Sequence, residues 1–323
     1  MFRQVMPREE DMTLSKTAII FPGQGAQTVG MGKDIAEASQ AARGVFDDAD
    51  RILGTDLSDL CFNGPADRLN ATDMSQPAIF VTSVAIWRAL ETSGRIEEFA
   101  PEAMAGLSLG EYTALHLAGW IAFDEALRLV ARRGRLMQDA AEKNPGGMVS
   151  LMGIDEEQVR KLCERAAEGQ PLGPANFNCP GQIVISGAKA ACARAVDLAD
   201  ALGGRAIPLT VAGAFHSPLM EPAVEGLKTA LATARIEKGR IGVVSNVSAD
   251  YHADPDGVRA LLCEQVAKPV RWQASIERLV AEGFERFVEI GPGRVLTGLM
   301  RKINRAATAL NVSNAASLDK IPA

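Results

Sequence analysis

The sequence predicts an α/β protein with a mostly parallel sheet and a small inserted domain. Short apolar runs alternate with helical patterns along most of the chain, which is typical of a parallel sheet with helices on both faces. Between Gly146 and Leu209 the predicted order changes to β-α-β-β-α-β, the order of a ferredoxin-like unit. A chain of 323 residues, 47% of them hydrophobic, can form one large α/β domain with an insertion, or two medium domains.

The first elements are expected to form the body of the protein. Thr17–Phe21 is a short, apolar and partly β-branched run that ends at a Pro-Gly pair, as in a buried parallel strand that leads into a turn. Gln76–Leu90 is apolar almost all round, which predicts a buried helix. Ala103–Leu107 predicts a second short strand, and Phe123–Ala141 carries apolar residues at the spacing of an amphipathic helix.

The inserted domain is placed at residues 145–212. Its predicted elements are a strand at Met148–Met152, a helix at Asp155–Ala167, strands at Leu172–Phe177 and Gln182–Ser186, a helix at Ala188–Leu202 and a strand at Arg205–Leu209. The body resumes with predicted helices at Glu221–Ala234, near Val258–Val266 and from Arg294, and strands at Ile241–Asn246 and Phe287–Ile290. The predicted body is thus discontinuous, at 17–144 and 213–310, with a disordered leader at 1–16 and a flexible tail at 311–323.

Composition argues against several classes of function. The net charge is −6, whereas proteins that bind duplex nucleic acid are normally basic. No apolar run reaches the ~18 residues of a membrane span, and the first 16 residues lack the apolar stretch of a signal peptide. The five cysteines are scattered without CxxC spacing, which favours free thiols in a reducing compartment. We therefore expect a cytoplasmic protein that binds neither nucleic acid nor a membrane.

A candidate nucleophile stands between the second predicted strand and a helical stretch. Gly106-Leu107-Ser108-Leu109-Gly110 has the pattern G-x-S-x-G, and a strand before it with a helix after it is the context of a nucleophile elbow. The flanking glycines allow the sharp turn to close. The alternative is an ordinary Gly/Ser loop, but the surrounding elements favour Ser108 as a nucleophile.

A nucleophilic serine needs a proton acceptor, which is usually histidine, and the chain has three histidines. His116 lies inside the helix that follows Ser108, and His252 lies in a polar loop. His216 follows a predicted strand in a Gly/Ala-rich apolar stretch, where a polar ring is unexpected unless it has a specific role. A lone structural histidine is the alternative, but elimination makes His216 the best candidate base.

Two further segments could bind an electrophile and a carboxylate. The Gly-rich loop Phe21–Gln27 lacks the Lys-Ser/Thr pair of a P-loop and the spacing of a dinucleotide fingerprint. It is either a plain turn or the source of an oxyanion N–H that pairs with the N–H of Leu109. Arg132, Arg133 and Arg135 lie on the helix after the elbow. They could be a solvated face, or one of them could point inward and bind a substrate carboxylate.

Longer motifs occur along the chain in a fixed order. They are FPGQGAQTVGMG (21–32), SQPAIF (75–80), GLSLGEYTAL (106–115), RRGRLMQDA (132–140), NCPGQIVISG (178–187), GAFHSPLM (213–220), VVSNVSA (243–249), KPVRW (268–272) and EIGPGRVLTGL (289–299). With these motifs the chain resembles the malonyl-CoA:acyl carrier protein transacylase family from about Thr17 to Ile303. The resemblance implies an α/β-hydrolase-like body with a ferredoxin-like insert.

The resemblance also implies a set of site residues. They are the nucleophile Ser108, the general base His216, the carboxylate-binding Arg133, the oxyanion donors Gln24 and Leu109, and Gln265, whose backbone carbonyl orients the imidazole of His216. The site would therefore be a Ser-His dyad without a carboxylate. The residue before the nucleophile is often His in this family and is Leu107 here, which bears on fine substrate preference.

The implied reaction transfers a malonyl group from malonyl-CoA to the phosphopantetheine thiol of an acyl carrier protein. It would pass through a malonyl-serine ester in a ping-pong cycle that supplies fatty acid synthesis, with no metal or bound redox cofactor. Two alternatives stay open. A serine hydrolase on a related body would give the ester to water, although it has no need for a carboxylate-binding Arg. A non-catalytic module would only dock the carrier protein. A role in polyketide synthesis, instead of or in addition to fatty acid synthesis, is a further alternative.

Overall fold

The computed structural model describes residues 15–318, which form two sheets with helices packed against them. One sheet has five parallel strands, and the other has four antiparallel strands. The first strand begins at Lys16. Most of the leader predicted at residues 1–16 therefore lies outside the described residues.

The elements alternate along the chain as expected for an α/β protein. The strands are β1 (Lys16–Phe21), β2 (Ala103–Gly106), β3 (Gly146–Met152), β4 (Leu172–Cys179), β5 (Gln182–Ala188), β6 (Arg205–Pro208), β7 (Gly242–Val244), β8 (Phe284–Ile290) and β9 (Thr308–Val312). The helices are α1 (Lys33–Ala38), α2 (Gln40–Leu53), α3 (Leu57–Asn63), α4 (Ala66–Asn70), α5 (Thr72–Thr92), α6 (Arg95–Phe99), α7 (Gly110–Leu117), α8 (Phe123–Lys143), α9 (Glu156–Ala167), α10 (Lys189–Ala201), α11 (Glu221–Thr233), α12 (Pro255–Gln265), α13 (Trp272–Ala281), α14 (Val295–Ile303) and α15 (Ala315–Leu318). None of the helices in the described range is long and apolar enough to cross a membrane.

The parallel sheet has the order β7-β2-β1-β8-β9. In β1 every residue after Lys16 is buried, as expected for a parallel strand covered on both faces. Phe21 at the end of β1 lies opposite Gly106 at the end of β2, and Ala105 lies opposite Val244 of β7. The loops that leave these three strands therefore start side by side at the carboxyl edge of the sheet, where ligands bind in open α/β sheets.

The antiparallel sheet has the order β4-β5-β3-β6 and forms one wall of a cleft. Alternate residues of a strand point to opposite faces. Val149 and Leu151 of β3 accordingly pack with α9 and α10 in a separate small core. Met148 belongs instead to the core of the larger unit, which is the part of the protein that contains the parallel sheet, and it lines the cleft. The insert thus has its own core on one face and contributes to the candidate site with the other.

The elements predicted from the sequence are confirmed, with shifts of a few residues at their ends. All six elements of the insert are present in the predicted order. The strand predicted to end at Leu209 ends at Pro208. The strand predicted to end at Ser186 continues to Ala188, because Ala188 still pairs with Gly146 of β3. Such cross-strand pairing is long-range and leaves no local pattern in the sequence.

Several elements lack a sequence pattern strong enough to be predicted. These are α1 to α4, α6, α13, β9 and α15. The flexible tail predicted at residues 311–323 is wrong for residues 311–318. Asn311 and Val312 end β9, which pairs with β8, and Ala315–Leu318 form α15. Strand β9 is short and only partly buried at the sheet edge, so it lacks the apolar signature of the central strands. Residues 319–323 lie outside the described residues.

Candidate active site

Ser108 lies in the tight turn between β2 and α7, with a φ of 53°. The turn requires its glycines. A Cβ on Gly106 would lie 1.9 Å from the carbonyl carbon of Gly110, and a Cβ on Gly110 would lie 2.2 Å from the backbone oxygen of Phe21. Asn246, just beyond β7, holds the turn from outside. Its Oδ1 accepts from Ser108 N at 2.6 Å and its Nδ2 donates to the Gly106 oxygen at 2.7 Å.

The hydroxyl of Ser108 is hydrogen-bonded to the ring of His216. Ser108 Oγ and His216 Nε2 are 2.9 Å apart, and His216 Nδ1 is 2.7 Å from the backbone oxygen of Gln265. That carbonyl can only accept. Nδ1 therefore carries the proton, and Nε2 is left as the acceptor for the Ser108 hydroxyl. Both side chains belong to buried residues.

The surroundings of His216 keep its imidazole neutral. Burial and, to a smaller extent, the positive charge of Arg133 lower the pKa of His216 to about 4, and the hydrogen bond to the backbone of Gln265 partly opposes them. At neutral pH the ring is therefore unprotonated and can accept a proton from Ser108.

Arg133 is the one arginine of its triplet that points inward. Arg132 and Arg135 are exposed, whereas Arg133 is 1% exposed. Its Nη1 donates to Gln76 Oε1 at 2.6 Å. Its Nη2 donates to Ser108 Oγ and to the side-chain oxygen Oε1 of Gln265, each at 3.0 Å.

Among residues 15–318, no acid forms a direct ion pair with the buried guanidinium of Arg133. The guanidinium lies 5.4 Å from the ring centre of Tyr112. Burial lowers the pKa of Arg133, and the neighbouring Tyr112 and Glu111 oppose that effect. Its Nε–H has no partner within residues 15–318, so one donor of the guanidinium remains unpaired there.

Two backbone N–H groups near the dyad, those of Gln24 and Leu109, have no acceptor in the described part of the chain. Gln24 lies in the Gly-rich loop that leaves β1, next to the elbow, and Leu107 N donates to the Phe21 oxygen at 3.0 Å across the two loops. Neither the Gln24 nor the Leu109 N–H has an acceptor in the hydrogen-bond network of residues 15–318. Gln24 lines the same cavity as Ser108. These donors are thus available to a developing oxyanion.

The other two histidines are held elsewhere. Nδ1 of His116 bonds the Ile121 oxygen at 2.9 Å, and its ring packs against Phe80 and Phe123. Burial lowers the pKa of His116 to about 4. Nε2 of His252 is 2.8 Å from a carboxylate oxygen of Glu111. Neither ring bonds Ser108, so of the three histidines only His216 contacts the Ser108 hydroxyl.

Sequence reasoning missed three polar residues that surround the dyad. Asn246 holds the elbow, Gln76 accepts from Arg133, and Glu111 accepts from Gln265 Nε2 at 2.6 Å. Each lies far along the chain from its partners. The only local signal is the acidic Glu111 at the start of a helix that is otherwise almost wholly buried and mainly apolar.

The dyad opens into a cavity of about 670 Å³ between the larger unit and the insert. Its wall combines the loops after β1 and β2 with the strands of the insert and the start of α14. Lining residues are Gln24, Leu107, Ser108, Phe215, His216, Val295 and Leu299 from the larger unit, and Met148, Asn176, Asn178, Gln182 and Val184 from the insert. This volume is in the range of small-molecule sites, which is roughly 300–1,000 Å³.

Comparisons with known proteins agree on one family. Residues 18–321 match the family model of the acyl transferase domain. The chain is 43% identical to the malonyl CoA-acyl carrier protein transacylase of Bacillus subtilis, over 95% of this chain and 96% of that protein. It is also 43% identical to the protein of the same name from Escherichia coli K12, over 94% of this chain and 98% of that protein.

Solved structures give the same result. An acyl carrier protein S-malonyltransferase from Vibrio cholerae superposes with a TM-score of 0.91 at 42% identity, over 95% of this chain and all of that one. A malonyl-transacylase in complex with its type II PKS acyl-carrier protein superposes with the same TM-score and identity, over 95% of this chain and 98% of that one.

Proposed function

The chain belongs to the malonyl-CoA:acyl carrier protein transacylase family of acyltransferases, and we propose that it transfers a malonyl group from malonyl-CoA to an acyl carrier protein through an ester on Ser108. The observation that supports this most is the buried guanidinium of Arg133 beside Ser108 Oγ. A nucleophile next to a buried cation suits an acyl group that carries its own carboxylate.

In the first half-reaction, Ser108 Oγ attacks the thioester carbon of malonyl-CoA while His216 Nε2 takes the hydroxyl proton. The backbone N–H groups of Gln24 and Leu109 donate to the oxyanion of the tetrahedral intermediate. The carbon–sulfur bond then breaks, His216 returns the proton to the leaving sulfur, and a malonyl-serine ester remains.

In the second half-reaction, the phosphopantetheine thiol of the carrier protein loses its proton to His216 Nε2 and attacks the ester. The Ser108 oxygen leaves and regains the proton. The backbone oxygen of Gln265, 2.7 Å from His216 Nδ1, fixes the tautomer throughout and favours the positively charged imidazolium that forms in each half-reaction. A neutral carbonyl thus takes the place that a carboxylate has in a Ser-His-Asp triad.

Arg133 binds the free carboxylate of the malonyl group in this scheme. Its Nε–H is unpartnered within the described chain. Its Nη2–H now faces Ser108 Oγ, which becomes an ester oxygen and a poorer acceptor after acylation. Arginine suits this task because its planar donors match the geometry of a carboxylate.

The alternatives are a serine hydrolase and a docking module that lacks activity. A plain esterase has no need for a buried carboxylate-binding arginine, and a docking module has no need for a neutral imidazole 2.9 Å from a serine hydroxyl. The deciding experiment is intact mass spectrometry. The protein should gain one malonyl mass from malonyl-CoA and lose it to a holo carrier protein faster than to water. Release as free malonate at the transfer rate would favour a hydrolase, and no adduct would favour a docking module.

We also propose a known fold for each of the two units of the protein. We infer that the larger unit is α/β-hydrolase-like, because its nucleophile elbow leaves a strand of a parallel sheet, and that the insert is ferredoxin-like, because its elements run β-α-β-β-α-β. The domain boundaries at 145 and 212 are proposed on the same basis. A role in fatty acid synthesis and a cytoplasmic location stay predictions.

The pH dependence of acylation should report the lowered pKa of His216. The base must be unprotonated, so the rate should fall only as pH drops through about 4, and not near 6.5 as for an unperturbed histidine. We expect kcat/KM for malonyl-CoA in stopped-flow acylation to be level from about pH 6 to 8. Removal of the Arg133 charge should move the acid limb to higher pH.

His116 provides a matched control for that profile, since burial lowers its pKa to about 4 as well. His216→Ala should lower acylation strongly at every pH. His116→Ala should leave the profile in place, because His116 bonds only the Ile121 oxygen. An acid limb near pH 6.5, or equal losses in the two variants, would contradict the assignment of His216 as the base.

The carrier protein should dock near α14. Arg294, Arg301, Lys302 and Arg305 are exposed on or beside this helix, whose Val295 and Leu299 line the cavity. Carrier proteins are typically acidic. Because exposed charge pairs are screened over ~8–10 Å, transfer to the carrier protein should weaken with salt more than acylation by malonyl-CoA does.

Charge reversal tests the same surface more sharply. Arg301→Glu with Lys302→Glu should raise KM for the carrier protein and leave acylation by malonyl-CoA unchanged. Lys189→Glu, an exposed lysine on α10 of the insert, is the matched control. Equal salt sensitivity of the two half-reactions would argue against docking at α14.

A further inference from the structure

Glu111 is a buried acid that the proposed reaction does not use. It lies in the first turn of α7, directly after the elbow, and is fully buried. Three donors, two from the connection between β7 and α12 and one from the end of α12, converge on its carboxylate. Oε2 accepts from Gln265 Nε2 at 2.6 Å and from Asn246 N at 3.0 Å, and Oε1 lies 2.8 Å from His252 Nε2.

The side-chain amide of Gln265 links this acid to Arg133. Gln265 Oε1 accepts from Arg133 Nη2 at 3.0 Å, and Gln265 Nε2 donates to Glu111. Arginine only donates, and an ionised carboxylate only accepts. The amide therefore satisfies both neighbours in one orientation alone, and Glu111 and Arg133 together fix it.

The charges around Arg133 are balanced indirectly. Its hydrogen-bond partners Gln76, Gln265 and Ser108 are all neutral. A buried guanidinium without a countercharge is costly, and Glu111, one amide away, is the acid that the network connects to it. An acid in direct contact would compete with a substrate carboxylate, whereas this one does not occupy the free Nε–H of Arg133.

His252 is the third group that faces the carboxylate of Glu111. Its side chain is fully buried, and Nδ1 has no partner among residues 15–318. Its Nε2 faces the carboxylate and can donate to it, whereas a proton on Nδ1 would be buried without an acceptor.

We propose that Glu111 is a positioning residue that balances the buried charge of Arg133 through Gln265 and keeps the guanidinium free for the substrate carboxylate. The inference rests on the proposed function for the identity of that carboxylate. The charge balance itself exists in the enzyme without substrate.

Glu111→Gln tests the charge with little change of shape. The amide oxygen can accept from Gln265 and Asn246, and the NH2 group can donate to His252 if the proton of that ring moves to Nδ1. The variant should lower the thermal unfolding midpoint by several degrees. In an Arg133→Gln background the same change should have little effect, because no charge is left to balance. If Glu111→Gln alone does not fold, the double variant should still fold.

Substrate kinetics give the second readout. Without the balancing charge, Arg133 should attract a carboxylate more strongly, so KM for malonyl-CoA should fall, on the order of tenfold. Acetyl-CoA has no carboxylate and should not gain. Asp50→Asn is the matched control. Asp50 also accepts from a backbone N–H, that of Ser58, but takes no part in the network around Arg133, so neither substrate should be affected.

Additive effects of Glu111→Gln and Arg133→Gln on stability would overturn the proposal, as would equal losses with malonyl-CoA and acetyl-CoA. The stability cycle requires no turnover. Absence of a malonyl adduct on the native enzyme would therefore refute the proposed function while leaving the charge balance to be judged by its own measurement.

Discussion

Ser108→Ala should abolish the malonyl-enzyme adduct and leave the fold intact. The change removes one oxygen from a turn that the flanking glycines and Asn246 hold in place. The turn imposes a positive φ at this position, and alanine tolerates it about as poorly as serine does, so the strain of the elbow does not change. Loss of the nucleophile typically costs on the order of 10⁶ in rate in enzymes with an activated serine. Intact mass after incubation with malonyl-CoA measures the adduct directly, and circular dichroism measures the fold.

Ser83→Ala is the matched control for Ser108→Ala. Ser83 is a buried serine on α5 whose hydroxyl has no hydrogen-bond partner in the described part of the chain. Its removal should leave the adduct unchanged. If the Ser108→Ala enzyme still gained the malonyl mass, the nucleophile would lie elsewhere and the elbow would be a structural turn.

The elbow and its base were predictable because their signals are local. A strand, a Gly-Ser-Gly turn and a helix follow one another within a few residues around Ser108, and the chain offers only three histidines. The apolar runs of β1 and α5 are likewise continuous in the sequence. These features do not depend on which distant segments pack against them.

The surroundings of the dyad could not be predicted from local patterns. Three arginines share one stretch of helix, and only its packing shows that Arg133 alone faces inward. Asn246, Gln265 and Glu111 meet beneath the elbow although 135 or more residues separate Glu111 from each of the other two. Residue spacing along a chain carries no information about contacts of this range, so here only the family resemblance pointed to Arg133 and Gln265.

Selectivity for malonyl over acetyl should depend on Arg133. An acetyl substrate brings no anion into direct contact with the buried guanidinium, and a site built around a charged partner rejects an analogue that lacks it. The native enzyme should therefore use malonyl-CoA far better than acetyl-CoA. Methylmalonyl-CoA should also react poorly, because Phe215, which lines the cavity beside His216, would crowd its α-methyl group.

Arg133→Ala should remove both the attraction and the penalty. Malonyl transfer should fall by roughly 10²-fold or more, as expected when a buried charged partner worth about 3 kcal/mol is lost, while acetyl transfer should hold or rise. Arg133→Lys should recover little, because an ammonium lacks the planar donors of the guanidinium. The measurement is kcat/KM for the three thioesters on each enzyme. Equal losses of malonyl and acetyl transfer in Arg133→Ala would make Arg133 a structural residue, since only a group that contacts the carboxylate can change the ratio between the two substrates.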